Sequence, residues 1–227
     1  MALPTAETQA KVASEAAQTF IDHYYETLSR PPPRRTLAPF YASASPRLVA
    51  AGVGVPDISI NGRVCGSAGE YEALLEAQGA RVTYDVRSFD AQPVHPSFGA
   101  GQPSGPGETT AASPDKGDCV SVALQVSGVV RYGRGHTSRD DGGAAATTTT
   151  TTAAATNTNT TTAAPVVNGG ASFFGGGGGE KKDADSGPAE KAFNEAFLLV
   201  PHWEAWAPNA PRGLRRWVIA SQNFRAL

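Results

Sequence analysis

Acid–base or metal chemistry near neutral pH would fall first to the four histidines, His23, His95, His136 and His202. They stand in four separate contexts, with no H-E-x-x-H or similar spacing to converge two ligands on one ion, so no metal centre is expected. There is no G-x-S-x-G elbow, Walker loop or dinucleotide fingerprint. Gly175 to Gly179 lack the strand before and the helix after that phosphate cradling requires, so no cofactor is expected either. If a sheet closed by helices enclosed an apolar pocket, Tyr24, His23, Asp57 or Asp90 could serve there as acid or base. Tyr24 sits on an apolar helix face, whereas His23 and Asp22 fall on the polar side, and Asp57 follows Pro56 at a strand start. Arginines gather at Arg30, Arg34, Arg35 and Arg47, and again at Arg212, Arg215 and Arg216, where they could hold phosphates. With 19 Lys and Arg against 21 Asp and Glu, a solvated or ion-paired face is the simpler reading.

The elements that must position these groups begin with residues 6 to 28. Ala17, Phe20, Ile21, Tyr24, Tyr25 and Leu28 recur at spacings of three and four, which predicts an amphipathic helix. Pro31 to Pro33 end it, and a short helical piece, Arg34 to Tyr41, is expected to turn Leu37, Phe40 and Tyr41 inward. Asn61-Gly62, between two short apolar runs in residues 55 to 66, predicts a tight hairpin. Ser67, followed three residues later by Glu70, suits a helix start, with Tyr71, Leu74 and Leu75 on its apolar side and Gly79 at its end. Alternation then predicts strands at Val82 to Val94, Cys119 to Tyr132 and Lys191 to Val200, and a closing strand within Leu214 to Arg225. Helices first and antiparallel strands after predict an α+β layer, a curved sheet wrapping N-terminal helices.

Two stretches cannot contribute to a core. Residues 96 to 117 are rich in Gly, Pro, Ser and Ala; residues 134 to 190 include six consecutive threonines and five consecutive glycines. Both are expected to be disordered insertions at hairpin tips within a single domain spanning 6 to 227. Cys65 and Cys119 form no C-x-x-C pair, which suits a reducing compartment and small core hydrophobes. With neither a secretory pattern nor a bilayer-length apolar run, the expectation is a soluble intracellular protein that does not engage membrane.

The closing strand carries the most information about partners. Trp217, Ile219, Ser221, Asn223 and Arg225 share one parity and Val218, Ala220, Gln222 and Phe224 the other, so contact groups emerge on both faces. Absent a bulge, the first set shares one face, with Trp217 open to either a core or a partner role. On the neighbouring strand, Gln125 and Ser127 oppose the apolar parity of Val120, Val122, Leu124 and Val126.

In order and spacing, F-I-D-H-Y-Y-E-T-L (20 to 28), L-A-P-F-Y (37 to 41), I-N-G-R-V (60 to 64), Y-D-V-R-S-F-D-A-Q-P-V (84 to 94), F-N-E-A-F-L-L-V-P (193 to 201) and W-V-I-A-S-Q-N-F-R (217 to 225) resemble one family. It is the fungal mRNA transport regulator, of nuclear transport factor 2-like fold, the small (NXT-like) subunit of the heterodimeric mRNA export receptor. The resemblance implies a non-enzymatic protein that heterodimerises through its sheet with an NXF-type large subunit. The pair would then bind Phe-Gly nucleoporins and carry ribonucleoprotein, contacting RNA indirectly if at all, between nucleus, nuclear pore and cytoplasm. It also implies that Arg225 faces the partner and can pair with a carboxylate there, accompanied by Asn223, Ser221, Ile219 and Trp217, and by Gln125 and Ser127 from the adjacent strand. The insertion at 134 to 190 departs from the family pattern. Two other classes stay open: an isomerase- or dehydratase-like enzyme with an interior pocket, and a homodimeric import carrier whose identical sheets pair.

Overall fold

The computed structural model describes residues 3–30, 36–77, 82–98, 116–132, 189–207 and 209–227. They belong to one compact unit, Met1–Gly135 with Gly187–Leu227; a second, His136–Ser186, lies outside the described residues, as does most of the expected insertion at 134 to 190. Of the other expected insertion, residues 99–115 lie outside too, while its ends are tied down by a hydrogen bond from the Phe98 N–H to the Cys119 carbonyl.

Helix α1 (Ala6–Leu28) buries Ala13, Ala16, Ala17, Phe20, Ile21, Tyr24, Tyr25 and Leu28 on one stripe, the periodicity read from the sequence. The expected helix at Arg34 to Tyr41 is not an α-helix where it is described: Ala38–Phe40 and Ala42–Ala44 are single 3-10 turns. A short helix the sequence reading left out, α2 (Pro46–Ala50), follows, with Ser45 Oγ accepting from the Leu48 N–H and Pro46 at its first position. Strands β1 (Asp57–Ile60) and β2 (Arg63–Cys65) form the predicted hairpin, with Asn61 at φ 52° and Gly62 at φ 85°, the positive values that pair of residues tolerates. Helix α3 (Ala68–Ala77) starts as its S-x-x-E signature implies: Ser67 Oγ accepts from the Glu70 N–H and the Glu70 carboxylate accepts from the Gly66 N–H. Gly79 lies outside the described residues.

Strands β3 (Val82–His95), β4 (Ser121–Tyr132), β5 (Ala189–Pro201) and β6 (Trp217–Ala226) complete a six-stranded sheet in the order β2-β1-β6-β5-β4-β3. The expectation of a wholly antiparallel sheet is corrected at one place. β6 pairs in parallel with β1, returning to the hairpin made early in the chain, and Tyr41 adds a single parallel bridge to Ile219, while the other strand pairings among the described residues are antiparallel. Helix α1 lies against β3 and β4. The core between helices and sheet takes Val122, Leu124 and Val126 from β4, Phe193, Phe197 and Leu199 from β5, and Ile219 and Phe224 from β6. Gly128 is required where β3 bends across β4, because a Cβ there would stand 2.2 Å from the Asp85 carbonyl and 2.8 Å from the Phe193 ring. Cys65 and Cys119 are both buried and unbridged.

Candidate partner face of the sheet

The face of the sheet turned away from α1 is built by strand alternation. Ser59, Asn223, Ala196, Gln125 and Asp90 stand in register across β1, β6, β5, β4 and β3. A second row runs through Arg225, Asn194, Ser127 and Ser88, and a third through Asp57, Ser221, Leu198, Ala123 and Gln92. Apart from Leu198, which packs on the second core, these rows are polar or small and exposed or half-buried, unlike the apolar rows behind them. Cross-strand hydrogen bonds already order part of them: Ser88 Oγ to Ser127 Oγ at 2.8 Å, and Gln125 Nε2 donating to Asn194 Oδ1 at 3.3 Å.

This face is bounded at both ends. On one side Val200 and Val218 are covered by Ala42, Leu48 and Trp203, a small second core in which the 3-10 turn Trp203–Trp206 folds back over the sheet. Ser45 and the Arg47 N–H both bond the Glu204 carboxylate there, pinning α2 to that turn. On the other side Arg131 bridges Glu190 at 2.9 Å and Asp85 at 3.5 Å, and Arg87 reaches Asp85 at 2.9 Å. Being exposed, these pairs contribute little to stability and serve mainly to mark a charged rim.

The structure brings Arg225, Asn223, Ser221, Gln125 and Ser127 together on this face and separates Ile219 and Trp217 from them. The register of β5 with β6 slips between Leu198 and Leu199, so that Leu198 opposes Ser221 while Leu199 opposes Ile219. One extra residue on β6 reverses the parity from that point, turning Ile219 and Trp217 to the helix side. Ile219 is fully buried, and Trp217 packs on the core with its Nε1 donating to the Val120 carbonyl at 3.0 Å. The face expected to be shared absent a bulge is thus corrected to Arg225, Asn223 and Ser221; Ile219 leaves it, and Trp217 takes the core role open to it.

Arg225 is exposed and makes no hydrogen bond or ion pair among the described residues. Its Nη1 lies against the hairpin turn, 3.2 Å from where a Cβ on Gly62 would stand. The turn is fastened to the same strand, with the Ala226 N–H donating to Asn61 Oδ1 at 2.8 Å and the Asn61 N–H to the Phe224 carbonyl at 2.8 Å. A cation so placed, on ordered backbone beside a polar sheet row, can meet a carboxylate presented from outside.

The candidate acids and bases of an interior pocket do not converge. Asp57 and Asp90 are exposed on the outer face, and His23 is exposed on α1 with its Nδ1 2.7 Å from the Thr19 carbonyl. Tyr24 alone is interior, and it belongs to a network that sequence reading missed. Glu195 is fully buried on β5; Tyr25 donates to its Oε2 and Gln222 to its Oε1, both at 2.6 Å. Gln222 also donates to the Tyr24 hydroxyl at 2.8 Å and accepts from Tyr41 at 2.5 Å. Burial raises the Glu195 carboxyl to about 7, against the opposing effect of its two donors, and pushes the Tyr24 and Tyr25 hydroxyls well above their usual range. A signal was available: in Phe193, Glu195, Phe197, Leu199 a single acid interrupts an apolar parity. No cluster of three or more His, Cys, Asp or Glu that could hold a metal occurs among the described residues, and none of the described helices is long and apolar enough to cross a membrane.

Helix-first order, the hairpin and the long-stranded sheet define the nuclear transport factor 2-like fold, an α+β class. Three solved structures share it over 95% of this chain. They are one described as "Sac3N peptide bound to Mex67:Mtr2" (TM-score 0.62, 22% identity, 99% of that chain covered), one described as "Chaetomium thermophilum Mex67 NTF2-like domain complexed with Mtr2" (0.61, 23%, 98%) and "Structure of Mtr2" (0.60, 21%, 99%). At this identity the likeness is one of fold. No protein-family model and no curated protein matches the sequence.

Proposed function

We propose that this chain is the small, non-enzymatic subunit of a nuclear mRNA export receptor, pairing the outer face of its sheet with the related domain of a Mex67-like, NXF-type large subunit. The observation that carries the reading is Arg225: a guanidinium with no partner among the described residues, on a five-strand face that also carries Asn223, Ser221, Gln125 and Ser127. Such a face suits sheet-on-sheet pairing, and a partner carboxylate at Arg225 would set register and disfavour self-pairing, where two arginines would meet. The fold shared with Mtr2 supports the same reading. On it, Phe-Gly nucleoporins engage the heterodimer, RNA or ribonucleoprotein is cargo, and the chain shuttles between nucleus, pore and cytoplasm. The enzymatic alternative would rest on Glu195, but both of its oxygens are already taken by Tyr25 and Gln222.

The test is co-expression of the full chain with the carboxy-terminal half of an NXF-type large subunit, followed by sizing with light scattering, for the wild type and Arg225→Glu. A one-to-one complex that the substitution dissolves is the expected result. A monodisperse chain that ignores the large subunit would refute the proposal and return attention to Glu195.

A further inference from the structure

A groove of about 570 Å³ lies on the helix side of the sheet, between α1 and the segment entering β6. Val12, Ala16 and Phe20 of α1 form one wall, and Trp206, Leu214 and Trp217 the other. None of Ser221, Asn223, Arg225, Gln125 or Ser127 lines it, so it stays open when the sheet face is covered.

Within it Arg215 is anomalous. Its guanidinium carbon stands 3.4 Å from the centroid of the Phe40 ring, yet it makes no hydrogen bond or ion pair among the described residues. The side chain is half-buried, and both its burial and the neighbouring Arg30 act against its charge. Arg216, stacked at 5.0 Å on Trp206, and Lys116 add positive charge along the same groove. Trp206 Nε1 is shielded from solvent without an acceptor among the described residues. A partly desolvated guanidinium without an ion-paired carboxylate among the described residues, beside two indole rings, can take an anion in a groove lined to take an apolar group next to it.

We propose that this groove docks a short extended peptide, which presents a carboxylate side chain to Arg215 and lodges a neighbouring bulky apolar side chain between α1 and the Trp206–Trp217 wall. Charge complementarity selects a peptide over RNA. Glu15 and Asp118 line the same groove and would repel a chain charged at every phosphate, whereas a peptide can place one acid at Arg215 and keep the rest of its length neutral. The site is distinct from the sheet face and goes beyond the heterodimer reading.

The experiment uses the full chain and an array of fluorescein-labelled heptapeptides, in which Phe, Leu or Trp sits one or two positions from Asp or Glu. Anisotropy is read at low and high salt. Saturable binding is expected, weakened at least about tenfold when the acid of the best peptide becomes its amide, when its apolar residue becomes Ala, or when the protein carries Arg215→Met, which removes the charge but leaves an unbranched side chain beside Phe40. Thr19→Trp, on the exposed lip of the groove, should block binding while leaving Arg215 in place. Arg225→Glu should leave it unchanged, so this proposal and the heterodimer fail separately. The proposal is overturned if no peptide of the array binds, if amide and acid peptides bind alike, if neither Arg215→Met nor Thr19→Trp weakens binding, or if a labelled decauridine binds more tightly than any peptide.

Discussion

Replacing Glu195 by Gln should stabilise this protein in alkaline buffer while leaving it little changed in acid. In the unfolded chain the carboxyl titrates near 4.5; in the folded one, burial raises it to about 7. Between those values the native state holds a proton that the unfolded state has lost. The stability that depends on the neutral acid is therefore complete below about pH 4.5, declines as pH rises through about 7, and is absent above it. The interval corresponds to about 3 kcal/mol at about 1.4 kcal/mol per pH unit. For a domain of this size that is about 10 °C in Tm. Glutamine mimics the protonated acid: its carbonyl can accept from Gln222, as Oε1 does, and its amide can donate to Tyr25, whose hydroxyl turns to accept. The assay is thermal unfolding of wild type and Glu195→Gln at half-unit steps from pH 4.5 to 8.5, read as the difference in Tm. Taking the difference removes groups common to both proteins, among them His202, whose pKa burial depresses and whose contribution therefore runs with the opposite sign. The variant should lie within a few degrees of wild type at pH 4.5 and about 10 °C above it at pH 8. A variant less stable than wild type at pH 8, or a difference independent of pH, would refute the reasoning, because burial would then not raise the Glu195 carboxyl into this range.

Tyr25→Phe removes the donor to Glu195 Oε2, so the carboxyl should titrate still higher and the variant's stability should decline over a wider pH range than that of the wild type, measured in the same titration. Gly128→Ala should cost about 1–3 kcal/mol in chemical denaturation, because the backbone of β3 must move away from the new methyl; an unchanged midpoint would mean that β3 does not approach so closely. The bulge on β6 predicts a split between neighbours. Ile219→Asn should lower the Tm of the isolated chain sharply, while Asn223→Asp should leave its stability within about 0.5 kcal/mol and act only on pairing with a large subunit, measured by sizing of the mixture. If both behaved alike, the assignment of the two residues to opposite faces would be wrong.

Local pattern was enough for the parts of the molecule whose partners lie close in sequence. The spacing of Phe20, Tyr24 and Leu28 gave α1 its buried stripe, Asn61-Gly62 its hairpin and Ser67 with Glu70 the start of α3, because each depends on backbone geometry a few residues long. Strand alternation likewise placed Gln125 and Ser127 on the outer face. Tertiary structure decided the rest. Alternation along β6 pointed Ile219 and Ser221 the same way, and only pairing with β5, where Leu198 and Leu199 take up the extra residue, turned Ile219 into the core. The parallel contact of β6 with β1 joins the chain's end to a hairpin made long before it, so no local propensity could announce it. Glu195 interrupts an apolar parity, a signal that sequence reading passed over, and what keeps it there is supplied by Tyr25, 170 positions away, and by Gln222, on the next strand. Residue type and spacing set which faces are apolar; which face meets the core, and which is left for a partner, follows from where the strands lock together.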